Sequence, residues 1–496
     1  MIALSYITIV IYTICLLLIF MYALAQLNLL INYLKYRNKE DNSPKFDLEN
    51  PNKIPFVTIQ LPVFNELYVM ERLLENIAVL EYPREKLEIQ VLDDSTDESV
   101  AITSKYIKIL QEKEIDIQHI RRTNRQGFKA GALKEGLKIA KGEFIAIFDA
   151  DFLPQPNWLK RTVPYFKNEK IGVVQTKWEH LNKNYSLLTK LQAFGLDAHF
   201  TVEQTGRNSG DHFINFNGTA GIWRKTCIID SGGWNADTLT EDLDLSYRAQ
   251  LKGWKFLYLE DLGSPAELPA AMNALKVQQF RWTKGAAECT RKNLSKVLKN
   301  KEIPLKTKIH ATFHLMNSSV FICIVLLAIL SIPMLIIKNN FVEYESLFKM
   351  GGIFIISVIF LAIYYFISLS KNYENKLKAL LHFIFLFPMF LSVSMGLSFH
   401  NAIAVMEGYM GKKSPFIRTP KFNIIKSKDV WTKNKYLVSS ISILTIIEIG
   451  LAFYFLYGIY YAISCQDYVL LPFHIMLFLG YSYVSFYSIF HSSKSA

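Results

Sequence analysis

Cysteine is scarce and scattered: Cys15, Cys227, Cys289, Cys323 and Cys465 form no C-x-x-C pair, and two of them sit inside apolar runs. That spacing excludes a disulfide framework and a thiolate metal site. There is no internal repeat and no low-complexity tract. Charge is missing altogether from residues 3–33, and the apolar runs after residue 310 hold almost no ionisable side chain besides His400, Glu448 and His474. A charge at the bilayer midplane costs roughly 2.5–3.5 kcal/mol and is kept only where it is used, so this scarcity argues against a transporter. The N-terminus also lacks the Lys or Arg of a signal peptide. Ala23-Leu24-Ala25 resembles a cleavage site, but the apolar run continues through Leu29, Leu30 and Ile31, which predicts a retained anchor helix.

What is present is apolar side chain, 51% of 496 residues, gathered in residues 3–33 and in runs at 311–337, 351–369, 379–404, 437–463 and 468–490. Between them, residues 36–308 are of mixed polarity and, at roughly 270 residues, enough for a core of their own. The net charge of +12 lies beside the apolar runs, which reads as cytoplasmic flanks of membrane helices and not as a nucleic-acid surface. Lys35, Arg37 and Lys39 follow the first run. Residues 405–436 carry Lys412, Lys413, Arg418, Lys421, Lys426, Lys428, Lys433 and Lys435 against Glu407 and Asp429. Lys371, Lys376 and Lys378 place the start of the 379–404 run on the same side as its end. That run is too short for two spans, so it is expected to be a re-entrant or interfacial segment bent near Pro388, beside five full spans. The expected division is an anchor at 1–35, a cytosolic domain with interfacial helices at 36–308, and membrane helices plus the re-entrant segment at 309–404. A cytosolic basic loop at 405–436 and two membrane helices with a short tail at 437–496 complete it.

Within the mixed block, Val57–Val63, Leu87–Leu92, Ile115–Ile120 and Phe144–Phe148 read as strands, separated by helical patterns at Glu66–Leu80 and Ala130–Ala140. The alternation predicts an α/β fold with an open, mostly parallel sheet, whose ligands bind beyond the carboxyl ends of the strands. The strand signal weakens after residue 180. Acidic pairs fall at those strand ends: Asp93 and Asp94 after one, Asp149 and Asp151 after another. Ser95 or Asp97 could cap the helix that follows the first pair, but three carboxylates exceed what a cap requires. Asp149-Ala150-Asp151 can hold Mg²⁺ or Mn²⁺ with coordination positions open for diphosphate oxygens. Thr240-Glu241-Asp242 opens a helical pattern with Thr240 as the expected N-cap. Asp242 in its first turn suits a general base that deprotonates an acceptor hydroxyl. Gln278, Arg281 and Trp282 share one helix face, Arg281 offering a fork of donors to a leaving diphosphate and Trp282 a flat surface to a sugar. The bland alternative for Trp282 is an interfacial anchor. Of the other Trp, Trp178 and Trp223 are the further candidates for touching sugar.

In their order, D-D, D-x-D, T-E-D and Q-x-x-R-W, these residues resemble the processive family 2 glycosyltransferases, the group of cellulose, hyaluronan, mannan and xyloglucan-backbone synthases. Gln175–Asn182, Phe216–Arg224 and Thr238–Ala249 look most like the plant mannan and xyloglucan-backbone branch. The resemblance implies a Rossmann-like GT-A domain on an α-helical transmembrane bundle, with the nucleotide sugar contacted by Pro62, Asn65, Glu66, Asp93, Asp94, Lys129, Asp149, Gln278 and Arg281. It implies Mg²⁺ or Mn²⁺ at Asp149 and Asp151, catalysis by Asp242 with Glu241, and an acceptor held by Trp282, Asn217, Gly218 and Thr219. Where the family's cellulose synthases carry Cys, this chain has Asn217. Phe416-Ile417-Arg418-Thr419-Pro420-Lys421 resembles the family's gating loop, with Phe416, Arg418, Thr419 and Lys421 as its contact residues; a basic loop touching anionic lipid is the other reading. The implied activity is inverting transfer of a hexose from UDP-glucose or GDP-mannose to a growing β-glycan that is extruded across the plasma (inner) membrane. The rivals are a single transfer to a lipid acceptor, such as ceramide or polyprenyl phosphate, and a nucleotide-binding scaffold that would leave Asp242 and Trp282 unemployed.

Overall fold

The computed structural model describes residues 2–37, 44, 54–425, 428–432, 434–437 and 442–493; Lys39, Lys426 and Lys433 of the basic flanks lie outside them. Seven strands, β1 (Val57–Val63), β2 (Leu87–Asp93), β3 (Ile117–Arg121), β4 (Phe144–Ile147), β5 (Ile171–His180), β6 (Gly221–Arg224) and β7 (Lys255–Ala266), form one sheet in the order β3-β2-β1-β4-β6-β5-β7. The first four run parallel, β6 is antiparallel to both of its neighbours, and β5 and β7 pair in parallel. Central strands such as β1 are buried along nearly their whole length, as expected of a sheet covered on both faces. On one face Ile59, Leu61 and Val91 pack against Leu73, Leu74 and Ile77 of the Met70–Ala78 helix and Ile107 of the Ser99–Glu112 helix. On the other, Ile145 and Ile147 meet Leu133 and Leu137 of the Phe128–Ile139 helix together with Trp223 and Trp234. Trp223 is therefore core and does not touch sugar.

Among the described residues six helices are long and apolar enough to cross a membrane: Ala3–Tyr36, Asn317–Asn340, Gly352–Ser370, Lys376–Gly396, Ile443–Ser464 and Leu471–Ser492. The Lys376–Gly396 helix continues through Pro388, as helices packed among neighbours tolerate, and Ser392 Oγ donates to the Pro388 carbonyl at 2.8 Å. The break falls instead at Leu397, before the Ser398–Met410 helix. At that end Gly396 and Gly480 bring two helices to backbone contact, where any Cβ would strike a carbonyl oxygen.

The domain and the bundle are joined by the Met272–Lys299 helix, which packs along Ser398–Met410. Its Lys276 Nζ lies 2.6 Å from Glu448 Oε2, and the Glu448 side chain is fully buried. Removing one member of such a pair leaves the other charge buried alone. Glu448→Leu is expected to cost about 3–5 kcal/mol, read as a lower melting temperature in detergent, and Lys276→Met in the same chain to recover most of it.

Candidate active site

The turn after β2 divides its acids by task. Asp93 is buried, accepts the Ser95 backbone N–H at 2.8 Å and meets His119 Nε2 at 2.8 Å. Burial alone would raise its pKa, but the His119 and Ser95 bonds outweigh it and hold the carboxyl below the usual range. Asp93 thus shapes the turn from beneath, while Asp94 lines the cavity and takes both arms of Arg122, whose Nε is 2.9 Å from Oδ1. Asp97 does the capping, accepting the Ser99 N–H at 3.0 Å. Asn65 also works from the side. It sits at φ +53°, donates its N–H to Ser95 Oγ at 2.8 Å and accepts Thr96 N–H on Oδ1 at 2.9 Å, so it braces the turn and does not line the cavity.

Beyond β4, the Asp149 N–H donates to Thr219 Oγ1 at 2.8 Å, and its carboxylate pairs with Lys129, whose Nζ also reaches the Gly218 carbonyl at 2.9 Å. Thr219 is fully buried, a support and not a lining residue. Asp151 pairs with Lys421 at 2.8 Å and keeps its Oδ1 buried with no hydrogen-bond partner. Two carboxylates with one orphaned oxygen fit a divalent cation. Among the described residues no group of three or more His, Cys, Asp or Glu is placed to hold a metal ion.

The Glu241–Leu251 helix starts where expected with Thr240 at its N-cap, but the Thr240 side chain makes no capping bond: its hydroxyl meets Cys289 Sγ at 3.4 Å. Burial first and the neighbouring Glu241 second push the Asp242 pKa up to about 7, against the pull of Lys129; burial also raises Glu241. A carboxylate tuned toward neutrality beside a cavity is what general-base chemistry needs. Ser246 Oγ donates to the Asp242 carbonyl at 2.6 Å and accepts the Phe216 N–H at 2.9 Å, tying the Phe216–Thr219 loop to the helix that carries Asp242. Gly218 in that loop adopts φ +80°, and a Cβ on it would stand 2.9 Å from Asp242 Oδ2. Gly218→Ala is therefore expected to displace the carboxylate and lower transfer by about 10²-fold, measured as the turnover of saturated enzyme, with about 1–2 kcal/mol of stability lost to the left-handed backbone.

Gln278, Arg281 and Trp282 of the Met272–Lys299 helix face the same cavity as Asp94, Asp149, Asp151, Glu241 and Asp242. The Trp282 ring centroid is 6.4 Å from that of Trp178, which also lines the cavity. The Arg281 guanidinium lies over the Phe416 ring at 4.7 Å and reaches Thr419 Oγ1 at 3.3 Å. Phe416 stacks in turn on Phe128, and Arg418 pairs with Glu66 at 2.6 Å. Burial lifts Glu66 to about 7 although Arg418 and Lys421 oppose it. Residues 416–421 thus lie across the cavity's carboxylates, Arg418 on Glu66 and Lys421 on Asp151. Glu267 holds their continuation by accepting the N–H groups of Phe422 and Asn423 at 2.8 Å each. Pro62, Asn217 and Gly218 complete the predicted lining. Arg125, stacked 3.2 Å over the Phe64 ring, and Glu267 line it as well and carry no motif that would have singled them out; His180, from the Gln175–Asn182 segment, lines it too.

A GT-A-type sheet with acids at its strand ends, joined to a set of long apolar helices, defines a multi-pass membrane glycosyltransferase that draws on a nucleotide sugar. Residues 55–285 match the family described as glycosyltransferase like family 2. Glucomannan 4-beta-mannosyltransferase 9 of Arabidopsis thaliana is 34% identical over 463 residues, 89% of this chain and 81% of that protein. Glucomannan 4-beta-mannosyltransferase 1 of Oryza sativa subsp. japonica is 42% identical over 287 residues, 56% of this chain and 54% of the relative. A mannosyltransferase of Pyrobaculum calidifontis, solved with GDP-Man and Mn²⁺, shares the fold with a TM-score of 0.53 over 82% of this chain and 100% of its own, at 18% identity. The chain belongs to glycosyltransferase family 2, in the cellulose synthase-like branch that contains the plant mannan synthases, and it is a hexosyltransferase.

Proposed function

We propose that the protein elongates a β-linked glycan with mannose from GDP-mannose, with UDP-glucose as the second donor to be tested, and passes the chain outward between its membrane helices. The observation that carries this reading is the single cavity lined by Asp242, Arg281, Trp282 and Asp149. Donor, base and acceptor surface lie within reach of one reacting centre there. Asp242 takes the proton of the acceptor hydroxyl as its oxygen attacks the anomeric carbon from the face opposite the diphosphate. The bond to the nucleoside diphosphate breaks, and an α-linked donor yields a β-linked product. Arg281 accepts the charge that develops on the leaving group. Trp282 and Trp178 hold the sugar rings of the acceptor end. Asp149 and Asp151 would hold Mg²⁺ or Mn²⁺, which supplies further neutralisation of the diphosphate.

The catalytic domain faces the cytosol and the bundle lies in the plasma (inner) membrane on this reading. The basic flank at 405–436 supports that side, since Lys421 of this segment reaches Asp151 of the domain. Membranes bearing the protein are to be incubated separately with radiolabelled GDP-mannose and UDP-glucose, and the product sized and digested with β-mannanase and β-glucanase. A long, mannanase-sensitive product is the expected result; label recovered only in a single-sugar lipid would overturn the polymer reading.

A further inference from the structure

Asn217 precedes Gly218, the residue pressed against the Asp242 carboxylate, and its own side chain is held on two sides. Gln204 Nε2 donates to Asn217 Oδ1 at 2.6 Å, and Asn217 Nδ2 lies 3.2 Å from His199 Nε2. The other ring nitrogen, His199 Nδ1, is 2.9 Å from Glu203 Oε2, while Glu203 Oε1 accepts Arg207 Nε at 3.0 Å and Nη2 at 2.8 Å. With the Gln204 amide donating to Asn217 Oδ1, the Asn217 NH₂ faces His199 Nε2, so His199 accepts there and donates from Nδ1 to Glu203. Glu203 and Arg207 are buried. Burial works against ionising Glu203, but Arg207 and His199 prevail and hold its carboxyl far below the usual range, so the anchor stays charged. The backbone adds a second observation. His199–Glu203 form a π-helical turn between the Leu187–Ala198 and Gln204–Ser209 helices. Such turns are rare and gather at functional sites. Of these residues only Asn217 lines the cavity.

We infer that His199 is a positioning residue for the acceptor: with Gln204 it locks the Asn217 amide and so fixes where the Asn217–Gly218 backbone presents the acceptor hydroxyl to Asp242. This rests on the reading of Phe216–Thr219 as the acceptor loop. The carboxylate that anchors His199 is saturated by Arg207, so the clamp holds its place whether or not the cavity is filled. Without it the donor still binds, and water competes with the misplaced acceptor for the activated sugar.

The test uses the full chain in nanodiscs with whichever labelled donor it consumes, and reads nucleotide released per sugar incorporated into any product. His199→Ala is expected to raise that ratio about tenfold or more, with donor affinity within about twofold of the parent. His199→Gln, whose amide oxygen can still accept from Asn217, is expected to keep the ratio near the parent value. An unchanged ratio in His199→Ala, or equal loss of release and incorporation in both variants, would overturn the clamp. Should His199→Ala not fold, Asn217→Leu decides: it removes the amide that His199 and Gln204 hold and should raise the ratio, and an unchanged ratio counts against the clamp. A product confined to lipid would defeat the polymer reading alone, because the ratio is read on any product.

Discussion

Asp242→Asn is expected to lower sugar transfer by about 10²–10⁴-fold, the range general-base catalysis supplies, while the nucleotide sugar binds as before. The same substitution bears on pH and on stability. The Asp242 pKa stands at about 7 in the folded protein, above its unfolded value, so the ionised side chain works against the fold and the cost grows as pH rises toward and through 7. Transfer by the parent should therefore rise with pH across that window, as the carboxylate loses its proton and becomes able to accept one. Asn cannot ionise. Its chain should melt at a higher temperature than the parent at pH 8 and at nearly the same temperature at pH 4, by scanning fluorimetry. A gain in stability joined to a loss of turnover marks a residue held in a costly state for its chemistry. Normal turnover by the variant would remove Asp242 from the reaction.

The second large effect is expected at Arg281. Among the described residues its one hydrogen bond is the long contact to Thr419, and the Phe416 ring lies against its face and leaves the N–H groups at its edge open, so most of its guanidinium is available to an anion. Burial also lowers its pKa, opposed by Asp149, Glu241 and Asp242, so the cation is poorly hydrated and responds strongly to negative charge developing nearby. Arg281→Ala is expected to lower turnover by about 10²–10³-fold, the effect of removing one preorganised donor, with a smaller change in donor affinity. Arg281→Lys should recover only part, because a point charge cannot reproduce the fork. Single-turnover rates with saturating donor measure both; equal activity of the Lys variant and the parent would mean that the fork is not used.

Much of the candidate site was readable because its residues stand at element boundaries or repeat at helical spacing. Asp94, Asp149 and Asp151 follow apolar strand runs, Asp242 follows a helix start, and Gln278, Arg281 and Trp282 repeat at helical spacing. Asp93, Asn65 and Thr219 show the limit of that reading. Their neighbours in sequence line the cavity, but a one-residue change of direction turns these three inward, to His119, to the Ser95–Thr96 backbone and to the Asp149 N–H. No periodicity records that turn. The later strands were hidden for local reasons: β6 is only four residues long, and β7 carries Glu260, Asp261, Gly263 and Pro265 where a strand pattern expects apolar or β-branched residues. They are strands because β5 pairs with both. Pro388 misled in the opposite way, since a proline that ends a soluble helix is accommodated in the Lys376–Gly396 helix. The His199–Asn217 contact joins two segments with no shared motif, and only the fold brings them together.

The measurement that bears most directly on the account is the anomeric configuration of the product. The proposed assignment, with Asp242 as the single base opposite a diphosphate leaving group held by Arg281, permits one displacement and therefore one inversion. NMR of the glycan made from α-linked GDP-mannose or UDP-glucose should show β-linkages throughout. α-Linked product would require a second displacement and contradict the assignment of the site.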